Sequence, residues 1–450
     1  MKKMFSIPLV GLAITMIIKE MYYLGFYFLP GGIYRLFAII GFVLFFYFLF
    51  RAKHVILRGR MRTLFYFFML WTFFIVLRGS IIGNYPPGFV NPSIGDILSE
   101  CVRNSMTSLA FFVPLVFVIK PDLRSLYYYK KIAIALSIVF IVTIFVMRSN
   151  VFTIGSLTSG KTALEGPNGE YISIRTFIST LAPGFGLVVL MFLNFNYIKS
   201  RLVFLLPVAL IVYLFGQIIG GGRGGTFMTL LEIVLAIYLA LKYPISGNRL
   251  GVFNNKIFKK TLTFVFAIGF IVGIVYVYNE TTIMDSLLEK SFGGREYSGQ
   301  FAETGREGIE ASMVNDFNNH PLDWVIGRGG NGSYADNSEI SINGRRSSME
   351  WGYLYLILKG GVIYLIMTII IFARAMYFGL FKSKNLLSKS MGISCGLFLI
   401  GFASTGCEPN FCLDYLLFWM YAGWLEDPKI RYLSDETIYK YFNIKNYYPN

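Results

Sequence analysis

Apolar residues in this chain fall in continuous runs, without the alternation of a half-buried strand. Runs near 20 residues recur from end to end, the length an α-helix needs to cross ~30 Å of hydrocarbon. A membrane β-barrel would show short alternating segments instead. Short polar segments separate the runs, and basic residues gather in every second one. RAKHVILRGRMR, KPDLRSLYYYKK, NRLGVFNNKIFKK and the stretch from Arg374 to Lys389 carry the theme. Basic segments stay on the cytoplasmic side of a membrane. That rule predicts twelve spans at about 4–29, 33–50, 63–83, 102–119, 132–147, 176–197, 202–219, 226–241, 261–278, 350–373, 390–405 and 411–425, with both termini cytoplasmic.

The pattern divides the chain into membrane helices over 1–278, one large polar insertion at 279–349, further membrane helices over 350–425, and a cytoplasmic tail at 426–450. The insertion faces the periplasm. It carries twelve acids, counting Glu350 at its edge, against six Lys/Arg. The expected fold class is all-α, a polytopic membrane helix bundle with short helices in one large periplasmic loop. No internal repeat is evident, which disfavours transporters built from repeated halves. The N-terminus, MKKMFSIPLVGLAITMII, has the charged and apolar parts of a signal peptide. No small-residue cleavage site follows, so a retained first helix is expected.

Composition agrees with this reading. The chain is 55% hydrophobic and 15% charged over 450 residues, against roughly 25% charged in soluble domains. A net charge of +16 would suit nucleic acid. Its placement in short inter-span segments suits anionic lipid instead, so no nucleic-acid partner is expected. Four cysteines and two histidines show no zinc-ligand spacing, and no metal is expected. Cys407 and Cys412 form either a disulfide or two buried thiols.

The stretch IIGGGRGGTF, Ile218 to Phe227, matches G-x-G-x-x-G at Gly220, Gly222 and Gly225. No strand precedes it, no Lys-Ser/Thr ending follows, and its loop faces away from the cell's nucleotides, so the dinucleotide reading fails. Arg223 remains to be explained. Arg35, Arg78, Arg103, Arg175 and Arg223 all sit near periplasmic helix ends, against the positive-inside bias. One such arginine is ordinarily a side chain snorkelling to a headgroup, but five on one leaflet suggest a shared anionic target. Guanidinium pairs well with phosphate, glycines let backbone N–H groups approach, and Thr226 opens a helix whose N-terminus favours negative charge. The inferred partner is a lipid-linked phosphate or pyrophosphate.

Within the insertion, Thr304 and Glu307 have capping-box spacing, and Ile309, Met313 and Phe317 form an apolar stripe. That helix ends before His320-Pro321. Trp324, Val325 and Ile326 suggest an interfacial anchor, and glycines make a tight turn around Arg328. Arg345 and Arg346 precede Glu350, which is either a helix-start acid or a general base tuned by arginines. Inside the membrane, Glu232 and Lys359 lie at matching depths, which predicts a buried ion pair. The alternative, a proton relay, needs more ionisable groups.

Arg223-Gly224 after the seventh span, Gly305-Arg306 early in the loop, Pro321 to Gly329 (P-L-x-W-x-x-G-x-G) and Glu350 to Leu354 (E-x-G-Y-L) occur in order. With this layout the chain resembles the O-antigen polymerase (Wzy-type) and O-antigen ligase superfamily of membrane glycosyltransferases. The resemblance implies a GT-C-like, metal-independent enzyme of the bacterial inner membrane that needs no cofactor. It would join undecaprenyl-pyrophosphate-linked glycan donor and acceptor at the periplasmic face, with a chain-length regulator and a flippase as candidate partners. Arg223 and Arg306 would be catalytic and hold the leaving pyrophosphate. Arg328, Arg346, Arg103 and Arg78 are further pyrophosphate candidates, and Glu350 the candidate base. The superfamily's ligases carry a His-Asn-x-x-Leu motif at the end of the loop. Here Met349 to Leu354 lacks histidine, which favours a polymerase over a ligase. A lipid-linked oligosaccharide flippase is the competing class. Reporter fusions after residues 300 and 445 should report opposite faces of the membrane; the same face for both would overturn the topology.

Overall fold

The computed structural model describes residues 7–28, 34–54, 59–80, 110–146, 163–165, 171–173, 185–219, 223–242, 306–336, 345–349, 351–404, 409 and 411–445. The described chain is mostly helical. Helices α1 (Pro8–Phe28), α2 (Tyr34–Arg51) and α3 (Gly59–Ser80) are followed by a 3₁₀ segment, Ala110–Val118, and α4 (Ser125–Val146). Then come α5 (Phe185–Leu193), α6 (Leu205–Ile219) and α7 (Arg223–Lys242). The insertion contributes α8 (Arg306–Asn318) and α9 (Leu322–Ile326), and the chain closes with α10 (Gly352–Phe381), α11 (Leu386–Ser404), α12 (Leu413–Glu426), α13 (Pro428–Arg431) and α14 (Asp435–Asn443). Two small antiparallel ribbons complete it: β1 (Ala163–Glu165) with β2 (Tyr171–Ser173), and β3 (Tyr334–Ala335) with β4 (Arg345–Arg346).

α-Helix occupies the described parts of ten of the expected spans, the described part of 102–119 is the 3₁₀ segment, and 261–278 lies outside the described residues. Among the described residues, Gly59–Arg78, Ser125–Thr143 and Gly352–Phe381 are long and apolar enough to cross a membrane. Exposure supports the same reading: Phe50, Tyr66, Leu70, Val139 and Val234 are more than half exposed on helix flanks. Water would penalise that surface by ~25 cal/mol per Å², whereas lipid would not. The interior is aromatic, with Trp419 of α12 4.8 Å from Phe372 and 5.1 Å from Phe68 between ring centroids.

Helix α10 departs most from expectation. It runs 30 residues, eight past the expected end, and it is broken: Gly361 has φ +70°. The break divides an arm, 352–360, from a stretch over 362–381 that is itself ~30 Å long at 1.5 Å per residue. Backbone carbonyls just before the break lose their helical partners, and other segments supply donors. Arg328 N–H donates to Leu358 O at 2.8 Å, Gly329 N–H to Lys359 O at 2.9 Å, and Trp71 Nε1 to Gly360 O at 2.8 Å. The insertion's glycine turn is thus seated on the break, with Gly330 N–H also reaching Ile75 O of α3 at 2.9 Å.

The tail from Pro428 is folded rather than loose. Asn385 Nδ2 donates to Ile430 O at 2.8 Å, Asn443 Nδ2 to Tyr197 O at 2.7 Å, and Lys130 Nζ to Asn443 Oδ1 at 3.2 Å. Ile438 and Phe442 of α14 are buried against the bundle.

Gly361 and Gly59 separate strain from collision. A Cβ at Gly361 would run into the Val325 carbonyl, whereas at Gly59, φ +62°, it would meet nothing. Gly59→Ala should lower stability by ~1–2 kcal/mol, the cost of a side chain in the left-handed region. Gly361→Ala should lower it by more than ~3 kcal/mol, because the loop must also unseat. Thermal unfolding of both variants in detergent, with equal losses, would refute the docking.

Candidate functional site

The insertion forms a small core of its own. Ile309, Met313 and Phe317, the expected stripe, are buried with Tyr334, Met349, Leu354 and Leu358. Helix α8 ends at Asn318, as the His320-Pro321 pair requires. Trp324, expected as an interfacial anchor, instead packs edge-on to Phe317 at 5.3 Å and donates to Asn318 Oδ1 at 3.2 Å. After α9, Gly327 (φ +70°) and Gly329 (φ +84°) turn the chain around Arg328.

Arg328 is 2% exposed and paired with two aspartates. Its Nε donates to Asp323 Oδ2 at 2.7 Å, and its NH1 to Asp316 Oδ2 at 2.5 Å and Ser333 O at 2.8 Å. Its guanidinium also lies 4.5 Å over the Phe317 ring. Arg78 of α3 reaches the other oxygen of Asp323 at 3.1 Å. The expectation that Arg78 and Arg328 serve as pyrophosphate ligands is corrected on this geometry. Their charges are met by Asp316 and Asp323, and their donors clamp the insertion to α3. Burial alone would raise the Asp316 carboxyl, but the Arg328 bond, the Ala335 N–H and the Arg328 and Arg345 charges outweigh it and hold it below its ordinary value. Burial alone would likewise weaken the Arg328 charge, and the two aspartates hold it raised.

The ribbon β3–β4 separates the two adjacent arginines. Arg345 pairs with Ala335 and Arg346 with Tyr334, so their side chains leave opposite faces. Arg345 bonds Ser333 twice, Nε to Oγ at 2.9 Å and NH2 to O at 3.0 Å, both neutral acceptors. Arg346 has Nε and NH1 buried with no hydrogen-bond partner. A buried guanidinium donor without an acceptor costs several kcal/mol, which an anion would recover. Among the arginines of the insertion whose side chains are described, Arg346 is the one whose geometry asks for a ligand.

Arg223 and Arg306 are each the first residue of a helix, α7 and α8, where backbone N–H groups and the helix dipole favour anions. Helix α7 starts three residues before Thr226, the residue expected to open it. Arg103, Arg175, Thr304 and Glu350, the candidate base, lie outside the described residues. The expected Glu232–Lys359 ion pair is not among those of the described residues. Lys359 Nζ instead donates to Gly332 O at 2.8 Å and stands 5.1 Å from the Tyr355 ring. Lys359 lies on the arm 352–360 on which the glycine turn is seated, so the loop, and not Glu232, takes up its ammonium. Cys412 and Cys395 are free thiols, so the Cys407–Cys412 bridge is not formed.

Two sets of residues escaped the sequence reading. Asp316 and Asp323 were counted only as part of the insertion's acidic excess, although they lie twelve and five residues before Arg328. Inside the bundle, Lys19, Glu20 and Asp414 interrupt apolar runs, which was visible, and they come together with Glu232. No protein-family model, curated protein or solved structure matches this chain.

Asp316 gives the clamp a pH dependence. Its folded value lies below the unfolded one, so its stabilisation is present above pH ~4 and is lost as pH falls through the lower folded value. Asp316→Asn should weaken the clamp at neutral pH by ~3–5 kcal/mol, the effect of breaking one side of a buried pair. Limited proteolysis of the insertion at neutral pH would detect it, and unchanged cleavage would refute the clamp.

Proposed function

We propose that this protein is a membrane glycosyltransferase that polymerises lipid-pyrophosphate-linked oligosaccharide units at the periplasmic face. The observation that carries the reading is the Arg346 guanidinium, partly buried and without an acceptor on a ribbon clamped to the membrane bundle. A pyrophosphate supplies the oxygens that such a group lacks. Helices α7 and α8 begin at Arg223 and Arg306, where backbone N–H groups offer further donors to an anion. In the reaction, an acceptor sugar hydroxyl attacks the anomeric carbon of the donor. The bond from that carbon to the phosphate oxygen breaks, and lipid pyrophosphate leaves with the electron pair. The hydroxyl proton passes to a base, for which Glu350 is the sequence candidate. Charge builds on the departing pyrophosphate, where fixed guanidinium donors act most strongly.

The test is surface-glycan analysis after deletion and complementation. Deletion should leave single repeats without a ladder. Accumulated lipid-linked polymer with no attached glycan would assign a ligase, and intermediates trapped on the cytoplasmic side a flippase; either outcome overturns the proposal. Arg346→Ala should reduce ladder formation by about 10²–10³, with Arg346→Lys restoring little because it cannot pair bidentately. Arg223→Ala, folded and inserted, should likewise lose activity. Full activity in either alanine variant would remove that arginine from the site.

A further inference from the structure

Charged side chains from three helices, α1, α7 and α12, meet inside the bundle. Glu20 of α1 accepts from Leu413 N–H at the start of α12, at 3.4 Å. Asp414 accepts from Gly186 N–H near the start of α5, at 2.7 Å. Glu232 of α7 lies within electrostatic reach of Asp414, and Lys19 within reach of Glu20. Cys412 is also within reach of Glu20, Asp414 and Lys19. Three acids therefore face one described lysine in a part of the chain made of membrane-type helices. Each charge there costs at least ~2.5–3.5 kcal/mol on insertion scales. Three carboxylates against one ammonium call for additional positive charge, and protons are its simplest form.

A second observation points the same way. Tyr421 lies seven residues after Asp414 on α12, two turns along the same face or about 10.5 Å. It is 0% exposed, its hydroxyl has no hydrogen-bond partner, and its electrostatic neighbours are Asp414, Tyr129 and Cys395. Beyond it, Tyr129 of α4 bonds Leu9 O at 2.9 Å. One turn before Tyr129, the buried Ser125 hydroxyl stands beside the Tyr129 hydroxyl, and Asp122 stands just outside the helix. Buried hydroxyls left unpaired cost ~1–3 kcal/mol each, and water is their usual partner in a folded protein. Polar groups thus lead from the end of α4 that holds the folded tail to the acids around Asp414.

We propose that Asp414, with Glu20 and Glu232, forms a proton-binding site inside the bundle, exchanging with the Asp122 side through a hydrated track past Tyr129 and Tyr421. The chemistry is one proton transfer: hydronium and carboxylate become water and carboxylic acid. The groups facing the site are Lys19 and Glu20 from α1, Glu232 from α7, and Cys412 and Tyr421 on α12, with Cys395 of α11 beside Tyr421. The site stands apart from the glycan chemistry proposed above and needs none of it.

Infrared spectroscopy of the full chain in liposomes tests this without any substrate. The wild type should show a carboxylic-acid carbonyl band that grows on acidification and shifts in heavy water. Asp414→Asn, which keeps an oxygen for Gly186 N–H, should remove part of that band. Glu232→Gln, which disturbs no backbone bond, should do so in a second protein. Tyr421→Phe should keep the band and slow its hydrogen–deuterium exchange about tenfold. A wild type with no such band at any pH, or a band unchanged in both Asp414→Asn and Glu232→Gln, overturns the site. Unchanged exchange in Tyr421→Phe overturns the track. Loss of the band on adding sodium or potassium at fixed pH would assign the site to a metal cation and overturn the proton assignment.

Discussion

The break in α10 at Gly361 is the constraint on which the rest of the described structure depends. A helix that loses its register inside a membrane-type bundle exposes carbonyls that lipid cannot satisfy. Here Leu358, Lys359 and Gly360 are satisfied by Arg328, Gly329 and Trp71. The arrangement is reciprocal, since the glycine turn also needs acceptors for its N–H groups, and Arg328 and Gly329 find theirs at the broken helix. Gly327 and Gly361 make the approach possible, because a side chain at either would meet the other segment's backbone. The insertion is therefore a wedge built into the bundle, and α3, through Ile75 and Arg78, closes its other side.

That wedge explains how one short segment can hold several arginines with different fates. Arg328 and Arg78 converge on Asp323, and Asp316 completes the charge balance. A clamp of this kind is internally neutral and needs no ligand. Arg345 and Arg346 continue from the far strand of the ribbon, where the pleat sends them to opposite faces. The clamp fixes the ribbon, and the ribbon holds Arg346 with its donors inside the surface and without an acceptor. Rigidity of that kind is what an anion site requires, because donors already in place need no reordering when charge arrives.

Much of this was legible in the sequence, and the misses have physical causes. Continuous apolar runs located α-helix in the described parts of ten of the twelve places, since burial of backbone polar groups away from water leaves little choice. The Ile309, Met313 and Phe317 stripe and the stop at Pro321 were local signals, and local physics governs them. Arg78 was misread because its partner Asp323 lies 245 residues away, and Arg328 because only the folded turn brings Asp316 and Asp323 onto its guanidinium. The partner of Lys359 was missed because the Gly332 carbonyl is brought to it by the loop seated on the break, and Gly360-Gly361 gave no hint of which glycine would leave the helical region. The acids around Asp414 were visible singly as charges in apolar runs. Only the packing of α1, α7 and α12 shows that they form one group.

Those acids also hold helix ends together, which ties their proton state to the shape of the bundle. Glu20 receives the N–H of Leu413 at the start of α12, and Asp414 that of Gly186 near the start of α5. A charged acceptor makes a bond roughly twice as strong as a neutral one. Each N-terminal cap is itself worth ~0.5–2 kcal/mol. At the proton site proposed above, uptake would weaken the joint between α1 and α12, or between α12 and α5, by about half of such a bond without breaking it. Helix α12 sits between both joints and carries Trp419 at the aromatic centre against α3 and α10. Because α3 and α10 are also the two walls of the wedge, a change in the seating of α12 reaches the insertion through packed side chains. The same carboxylates that close helix ends at one protonation level thus loosen them at another.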